Sequence, residues 1–217
     1  MFTIKTPYFD IPVVYEDDNI VVVNKPHGLL VIEDRYDKDL PTLKNILQEK
    51  YGQIYVVHRL DFGTGGVMVF ARDKNTHKYL NFQFEGGIVE KEYFAVVKGT
   101  GFAPVTVMLP ISSKNSHGKY KINFKSGKKA ITSFVPVKEY NGKTLVKAVP
   151  FTGRTHQIRV HLKTIKFPLV NDFLYNEKTD DKRLTLMCYK LKFMHPEDKK
   201  QRIFQTEISE YLKSFLK

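Results

Sequence analysis

One cysteine in 217 residues, Cys188, excludes an intramolecular disulfide and any cysteine cluster for zinc. Long hydrophobic runs are missing too: the apolar stretches at 20–23 and 67–70 fall far short of the roughly 20 residues that span a bilayer. The N-terminus, Met1-Phe2-Thr3-Ile4-Lys5-Thr6-Pro7, has neither the apolar core nor the small-residue cleavage site of a signal peptide. These absences set the expectation of a cytoplasmic protein that does not enter a membrane. Several catalytic signatures are absent as well. The chain has no Walker-type phosphate loop, no G-x-G-x-x-G after a strand, no H-E-x-x-H and no nucleophile elbow. His58, His156 and His161 are too scattered for a metal site, and the i, i+5 spacing of the last two puts them on different faces of a helix. What remains is chemistry run by a carboxylate, or no chemistry.

The composition is that of a folded protein, with 42% hydrophobic and 27% charged residues. Its charge is uneven. Lys and Arg number 35 against 23 Asp and Glu, a net charge of +12. Residues 114–166 hold 13 basic residues and one acid, Glu139, which leaves 22 of each sign elsewhere. The whole net charge therefore belongs to one stretch, the footprint of a polyanion binder or of a solvated basic surface.

No repeat, low-complexity segment or Pro/Gly/Ser linker divides the chain, so residues 1–217 read as one domain. A hairpin is expected where 13–15 and 20–24 flank Glu16-Asp17-Asp18-Asn19. A helix is expected over 42–50, with Thr42 as N-cap and Gly52 past its end, and a second from a cap at Asp73 to about Phe84. A third runs over 155–166, where Ile158, Leu162 and Ile165 recur at helical spacing and Pro168 stops it. Strands are expected at 67–71, 92–98, 120–124, 131–137, 144–149, 184–193 and 202–206, and a short terminal helix carries Ile208, Leu212 and Phe215. Runs of strands with inserted helices give an α+β fold around a mostly antiparallel sheet.

Two segments carry the candidate chemistry. In His58-Arg59-Leu60-Asp61-Phe62-Gly63-Thr64-Gly65-Gly66 a short apolar strand leads into Asp61, followed by a glycine-rich turn and an apolar strand. Asp61 thus sits on a loop between buried strands, and Gly63, Gly65 and Gly66 allow a close approach by a backbone or a ligand. An Asp61 that merely caps the turn, paired with Arg59, fits the same residues. In Gly153-Arg154-Thr155-His156-Gln157-Ile158-Arg159-Val160-His161 basic and amide groups lie at a helix start inside the basic stretch, which suits a phosphate or ordinary capping.

Together these segments resemble the RluA-type pseudouridine synthases. The family's H-R-L-D-x-x-T-S-G is matched by His58–Gly66 with Gly65 in place of Ser, and its G-R-T/S-H-Q-I/L-R-x-H is matched throughout Gly153–His161. Asn24-Lys25-Pro26-His27-Gly28 and Lys91-Glu92-Tyr93-Phe94-Ala95 resemble two further motifs, in the right order. The likeness spans about 13–205; it departs at Gly65, at Asn171-Asp172 where many members have G-D, and at Met187 in place of a histidine. The resemblance implies a single pseudouridine-synthase-like catalytic domain without an S4-like domain, needing no metal or other cofactor.

It further implies that Asp61 is the catalytic carboxylate, attacking C1′ of the target uridine or taking a sugar proton, with Arg159 as its cationic partner. Tyr93 is implied to stack on the uracil and Ile158 to contact its other face, Arg59 to fill the gap left by the flipped base, and Arg154 to touch phosphate. Lys25 and His27 line the pocket or form a bare structural turn. Lys114, Lys119, Lys121, Lys125, Lys128 and Lys129 are expected to form a backbone-contacting surface for a structured ribosomal or transfer RNA. A monomer without an obligate protein partner is the expected state. The competing readings are a catalytically silent RNA-binding protein of the same fold and an enzyme acting on another phosphorylated ligand.

Overall fold

The computed structural model describes residues 2–34, 37–115, 118–177 and 179–217. In chain order its elements are β1 (Phe2–Lys5), β2 (Asp10–Glu16), β3 (Ile20–Lys25), α1 (Leu43–Tyr51), β4 (Tyr55–Val56), β5 (Gly65–Ala71), α2 (Lys74–Glu85) and β6 (Glu90–Lys98). They continue with β7 (Val105–Val107), β8 (Thr132–Tyr140), β9 (Lys143–Pro150), α3 (Gln157–Thr164), β10 (Leu186–Met194), β11 (Gln201–Gln205) and α4 (Glu210–Ser214). The class is α+β and the strand pairing is mostly antiparallel, as the sequence implies. The chain gathers into two compact units, one made of 1–90 and 188–207, the other of 91–187 and 208–217.

In the first unit the strand order is β1-β2-β3-β5-β10, with β4 beside β5 and β11 beside β10. Continuous apolar runs mark strands buried on both faces. Accordingly Ile20–Val23 of β3 and Val67–Ala71 of β5 are fully buried and pair antiparallel. The helices begin where local chemistry dictates: the Thr42 hydroxyl accepts the Asn45 N–H, and the Asp73 carboxylate accepts those of Asn75 and Thr76. Across the β2–β3 turn, Asp17 Oδ1 accepts the Asn19 and Ile20 N–H groups, and Oδ2 lies 2.8 Å from the buried His195 Nε2.

The second unit has strand order β6-β9-β8-β7. Its core joins Ala95, Val97, Phe134, Val146 and Ala148 from the strands to Ile158 and Leu162 of α3, with Tyr93 packed against them. Two expectations are corrected here. Residues 120–124 form no strand: Ile122 makes a single bridge to Ile111, and the Asn123 carboxamide captures the Lys125 and Ser126 N–H groups, turning the chain. Helix α3 starts at Gln157, two residues late. The Gln157 Oε1 takes the Arg154 N–H and the Thr152 hydroxyl, and His156 adopts a left-handed conformation.

Candidate functional site

In the first unit Asp61 is half-buried on the loop between β4 and β5, directly after the buried Leu60 and the exposed Arg59. The loop is fastened from below. The Lys25 ammonium donates to the carbonyls of Pro26 (3.0 Å), Leu29 (2.6 Å) and Phe62 (3.2 Å), and the Gly28 N–H donates to Phe62 O at 3.0 Å. His27 Nδ1 lies 2.9 Å from the Gly63 carbonyl, so it is the protonated nitrogen and donates. Behind the loop the Val69 N–H donates to His58 Nε2, and the His58 ring stacks on Phe84 at 4.5 Å. The Asn24–Leu29 turn therefore holds the Asp61 loop through three donors, the Lys25 ammonium, the Gly28 N–H and His27 Nδ1, while His58 accepts the Val69 N–H.

Lys25 corrects an expectation. The sequence offered it as an RNA-binding residue lining the pocket or as part of a bare structural turn; it is only 1% exposed and its ammonium donates to carbonyls, which favours the turn. Burial pulls its pKa down to about 7, opposed by the negative charge of Asp61. The three carbonyl acceptors also favour the charged form. A lysine closing the fully apolar run 20–23 was itself the signal: its side chain belongs inside. Lys25 is a positioning cation beside Asp61.

The glycine-rich turn serves packing. Gly66 has φ +115°, and an added Cβ would lie 2.0 Å from the Cys188 carbonyl oxygen. At Gly65 the obstacle is the His27 ring, 2.6 Å from where a Cβ would stand. That explains the departure from the family serine, since His27 occupies the space a hydroxymethyl group needs. Gly65→Ser is expected to destabilise the protein by about 1–3 kcal/mol through overpacking. The same change in a His27→Ala background should cost much less, and thermal unfolding of the four proteins measures this coupling. Additive shifts in Tm would show that the two positions do not share the space.

In the second unit Arg159 and Asp172 form a buried, two-pronged ion pair, 2% and 1% exposed. Nε donates to Oδ2 at 2.9 Å, and Nη2 donates to Oδ1 at 2.8 Å. Asp172 Oδ1 also accepts the Leu174 and Tyr175 N–H groups. The Arg159 guanidinium carbon lies 5.0 Å from the centre of the Tyr175 ring, and the Tyr175 hydroxyl meets His156 Nδ1 at 2.8 Å. Asp172, which the sequence singles out only within the Asn171-Asp172 departure from the family's G-D, is the buried partner of Arg159. It is the first acid after Glu139, which was the available signal.

Much of the Gly153–His161 segment is scaffold. Gln157 donates to Ile131 O and Thr132 Oγ1. His161 is fully buried between Thr132 Oγ1 and Leu109 O, and burial lowers its pKa. Ile158, expected against the base, is a core residue at 6% exposure. Tyr93 is half-buried beside the same core, in register with Ala148. Arg154 is exposed and its Nε donates to Lys129 O, tying the helix start to the lysine-rich segment. Lys114, Lys119, Lys121, Lys125, Lys128 and Lys129 are all exposed.

Among the described residues one group has metal-ligand composition, Asp17, His195 and Glu197, whose ligand atoms lie within 4.8 Å of one another. It sits at the β2–β3 turn, where Asp17 Oδ2 also accepts the Tyr15 hydroxyl, and it is not on the loop that carries Asp61. No described helix is long and apolar enough to cross a membrane.

A family model described as RNA pseudouridylate synthase matches residues 19–164, which run through both units. Over 194 residues the chain is 37% identical to the dual-specificity RNA pseudouridine synthase RluA of Vibrio vulnificus (strain CMCP6), covering 85% of this chain and 78% of that one. It is 32% identical over 222 residues to the ribosomal large subunit pseudouridine synthase D of Borreliella burgdorferi (strain ATCC 35210 / DSM 4680 / CIP 102532 / B31), covering 95% and 67%. Among solved structures, human RNA pseudouridylate synthase domain containing 1 aligns with a TM-score of 0.79 at 26% identity, over 94% of this chain and 85% of that one.

Proposed function

Because the chain belongs to the RNA pseudouridylate synthase family and is thereby an isomerase of uridine in RNA, we propose that it acts on a structured ribosomal or transfer RNA, with Asp61, Tyr93 and Arg159 carrying the reaction. The observation that carries the assignment is Asp61 itself, a half-exposed carboxylate on a loop fastened by Lys25, Gly28 and His27. A residue kept only for packing needs no such fixing, whereas a group acting on a sugar carbon must be held within a fraction of an ångström. The catalytically silent alternative loses its ground, since the chain's relatives are named as synthases over most of its length.

The reaction breaks the N1–C1′ bond, turns the uracil and forms a C5–C1′ bond; the C5 proton leaves and N1 takes up a proton, so the product is an isomer of the substrate. It is redox-neutral, and its balance calls for no metal. Asp61 performs the glycosidic step, by attack at C1′ or by taking a sugar proton. The Lys25 ammonium interacts electrostatically with it and anchors its loop at the Phe62 carbonyl. Tyr93 offers a flat apolar face to the uracil and a hydroxyl for the C5 proton. Arg159 supplies positive charge, oriented by Asp172. Arg59, exposed next to Asp61, fills the place of the extruded base. In this reading both units together make the catalytic domain, which works as a monomer in the cytoplasm.

Phosphate binding belongs to the exposed lysines. Replacing Lys119 with Lys121, or Lys128 with Lys129, by Gln in pairs should weaken RNA binding. It should also flatten the slope of log K against log salt by about one unit per lost contact. Binding measured across a salt series checks this, and an unchanged slope would mark those lysines as merely solvated.

A further inference from the structure

Phe124 is 78% exposed, whereas Phe102 and Phe134 in the same unit are 6% and 0% exposed. An exposed phenylalanine alone is unremarkable, but this one is mounted on a rigid support. The Asn123 carboxamide accepts the Lys125 and Ser126 N–H groups, the Asn123 carbonyl accepts that of Gly127, and the Asn123 N–H donates to Pro110 O. Gly127 closes the turn against backbone: a Cβ there would lie 2.3 Å from Asn123 O and 2.9 Å from Pro110 O. On either side of the turn, Ile122 and Lys128 each bridge to Ile111. Ile111 is itself buried with Ala130, Val160 and Tyr175. The segment is thus a braced turn that holds its apolar ring in solvent, with four exposed lysines, Lys121, Lys125, Lys128 and Lys129, in the same segment.

A fixed aromatic face among cations has the chemistry of a platform for a nucleobase, since bases stack on such a face whatever their identity while lysines meet the flanking phosphates. We propose that the 123–127 turn is a base-stacking subsite, in which Phe124 takes the face of an unpaired RNA base next to the phosphates held by the lysines. The proposal deepens the RNA-synthase reading and rests on it. Preformed geometry spares the ordering cost that a mobile loop would incur on binding.

The chain contains no tryptophan, so Phe124→Trp introduces a single indole whose emission reports on this turn alone. Titrated with oligouridylate, the full-length variant is expected to show quenching that saturates with binding; blunt-ended duplex RNA, whose bases are already stacked, should bind without quenching. Phe124→Ala should weaken oligouridylate binding roughly ten- to hundredfold. Its salt slope should stay at the wild-type value, because no phosphate contact is lost. Its Tm should also be unchanged, since the ring is exposed. Phe124→Ala binding oligouridylate as wild type does, or an unquenched indole in a protein that binds it, would overturn the subsite alone. So would self-association that depends on Phe124 while RNA affinity stays constant, which would make the turn a protein contact. Wild-type protein that binds neither RNA would overturn the functional reading on which the subsite rests.

Discussion

Asp172→Asn should lower Tm by around 10 °C and remove most pseudouridine formation. The carboxylate and the Arg159 guanidinium are both nearly solvent-free and joined by two hydrogen bonds, so neutralising one leaves the other buried and uncompensated. Breaking such a pair costs about 3–5 kcal/mol, and a domain of this size loses roughly 2–4 °C per kcal/mol. Arg159→Lys should be comparably harmful, because an ammonium cannot reproduce the guanidinium's paired hydrogen bonds. Stability and catalysis are separated by the double variant Arg159→Met/Asp172→Leu. Replacing a whole buried ion pair with apolar groups is often neutral or better. That protein should recover only part of the lost Tm, because the Leu174 and Tyr175 N–H groups lose their acceptor, and should still fail to turn over. A well-folded double variant with wild-type rate would reduce Arg159 to a structural role.

Asp61→Asn has the largest expected effect on rate. The amide keeps the size of the side chain but is neither a nucleophile nor a base at physiological pH. Single-turnover pseudouridine formation should fall to background, beyond the 10²–10⁴-fold typical of losing an auxiliary acid–base group. Binding should survive or improve, because one anion leaves a site that must accept a polyanion. Asp61 is half-exposed and its loop is fastened through the carbonyls of Phe62 and Gly63, so Tm should move little. If Asp61 merely capped its turn, the variant would instead lose stability and binding together while its folded fraction kept the wild-type rate.

Parts of the fold governed by local chemistry were legible in the sequence. Thr42 and Asp73 cap α1 and α2 as expected, because a cap depends on residues two and three positions away. The buried β3 and β5 were legible from their unbroken apolar runs. Misreadings came where a side chain outbid the backbone pattern. Asn123 turned an alternating segment away from strand, and Gln157 moved the start of α3. The terminal helix is likewise confined to Glu210–Ser214, with Leu212 as its buried residue. At the site, the motif residues themselves were visible, but their partners were not. Arg159 finds Asp172 13 positions later, and Gly65 is explained by a ring 38 positions earlier. Such pairings are set by chain folding, which sequence spacing does not encode.

The most direct measurement of the central claim uses RNA labelled with tritium at C5 of its uridines. Rejoining the base through C5 expels that hydrogen, so tritium released to water counts isomerisation events. Purified wild-type protein and Asp61→Asn, matched for Tm and RNA affinity, are compared under single-turnover conditions. The structure predicts stoichiometric release by the wild type and none above background by Asp61→Asn. Equal release by the two proteins would contradict the assignment of Asp61, and no release by the wild type on any structured ribosomal or transfer RNA would contradict the proposed substrate.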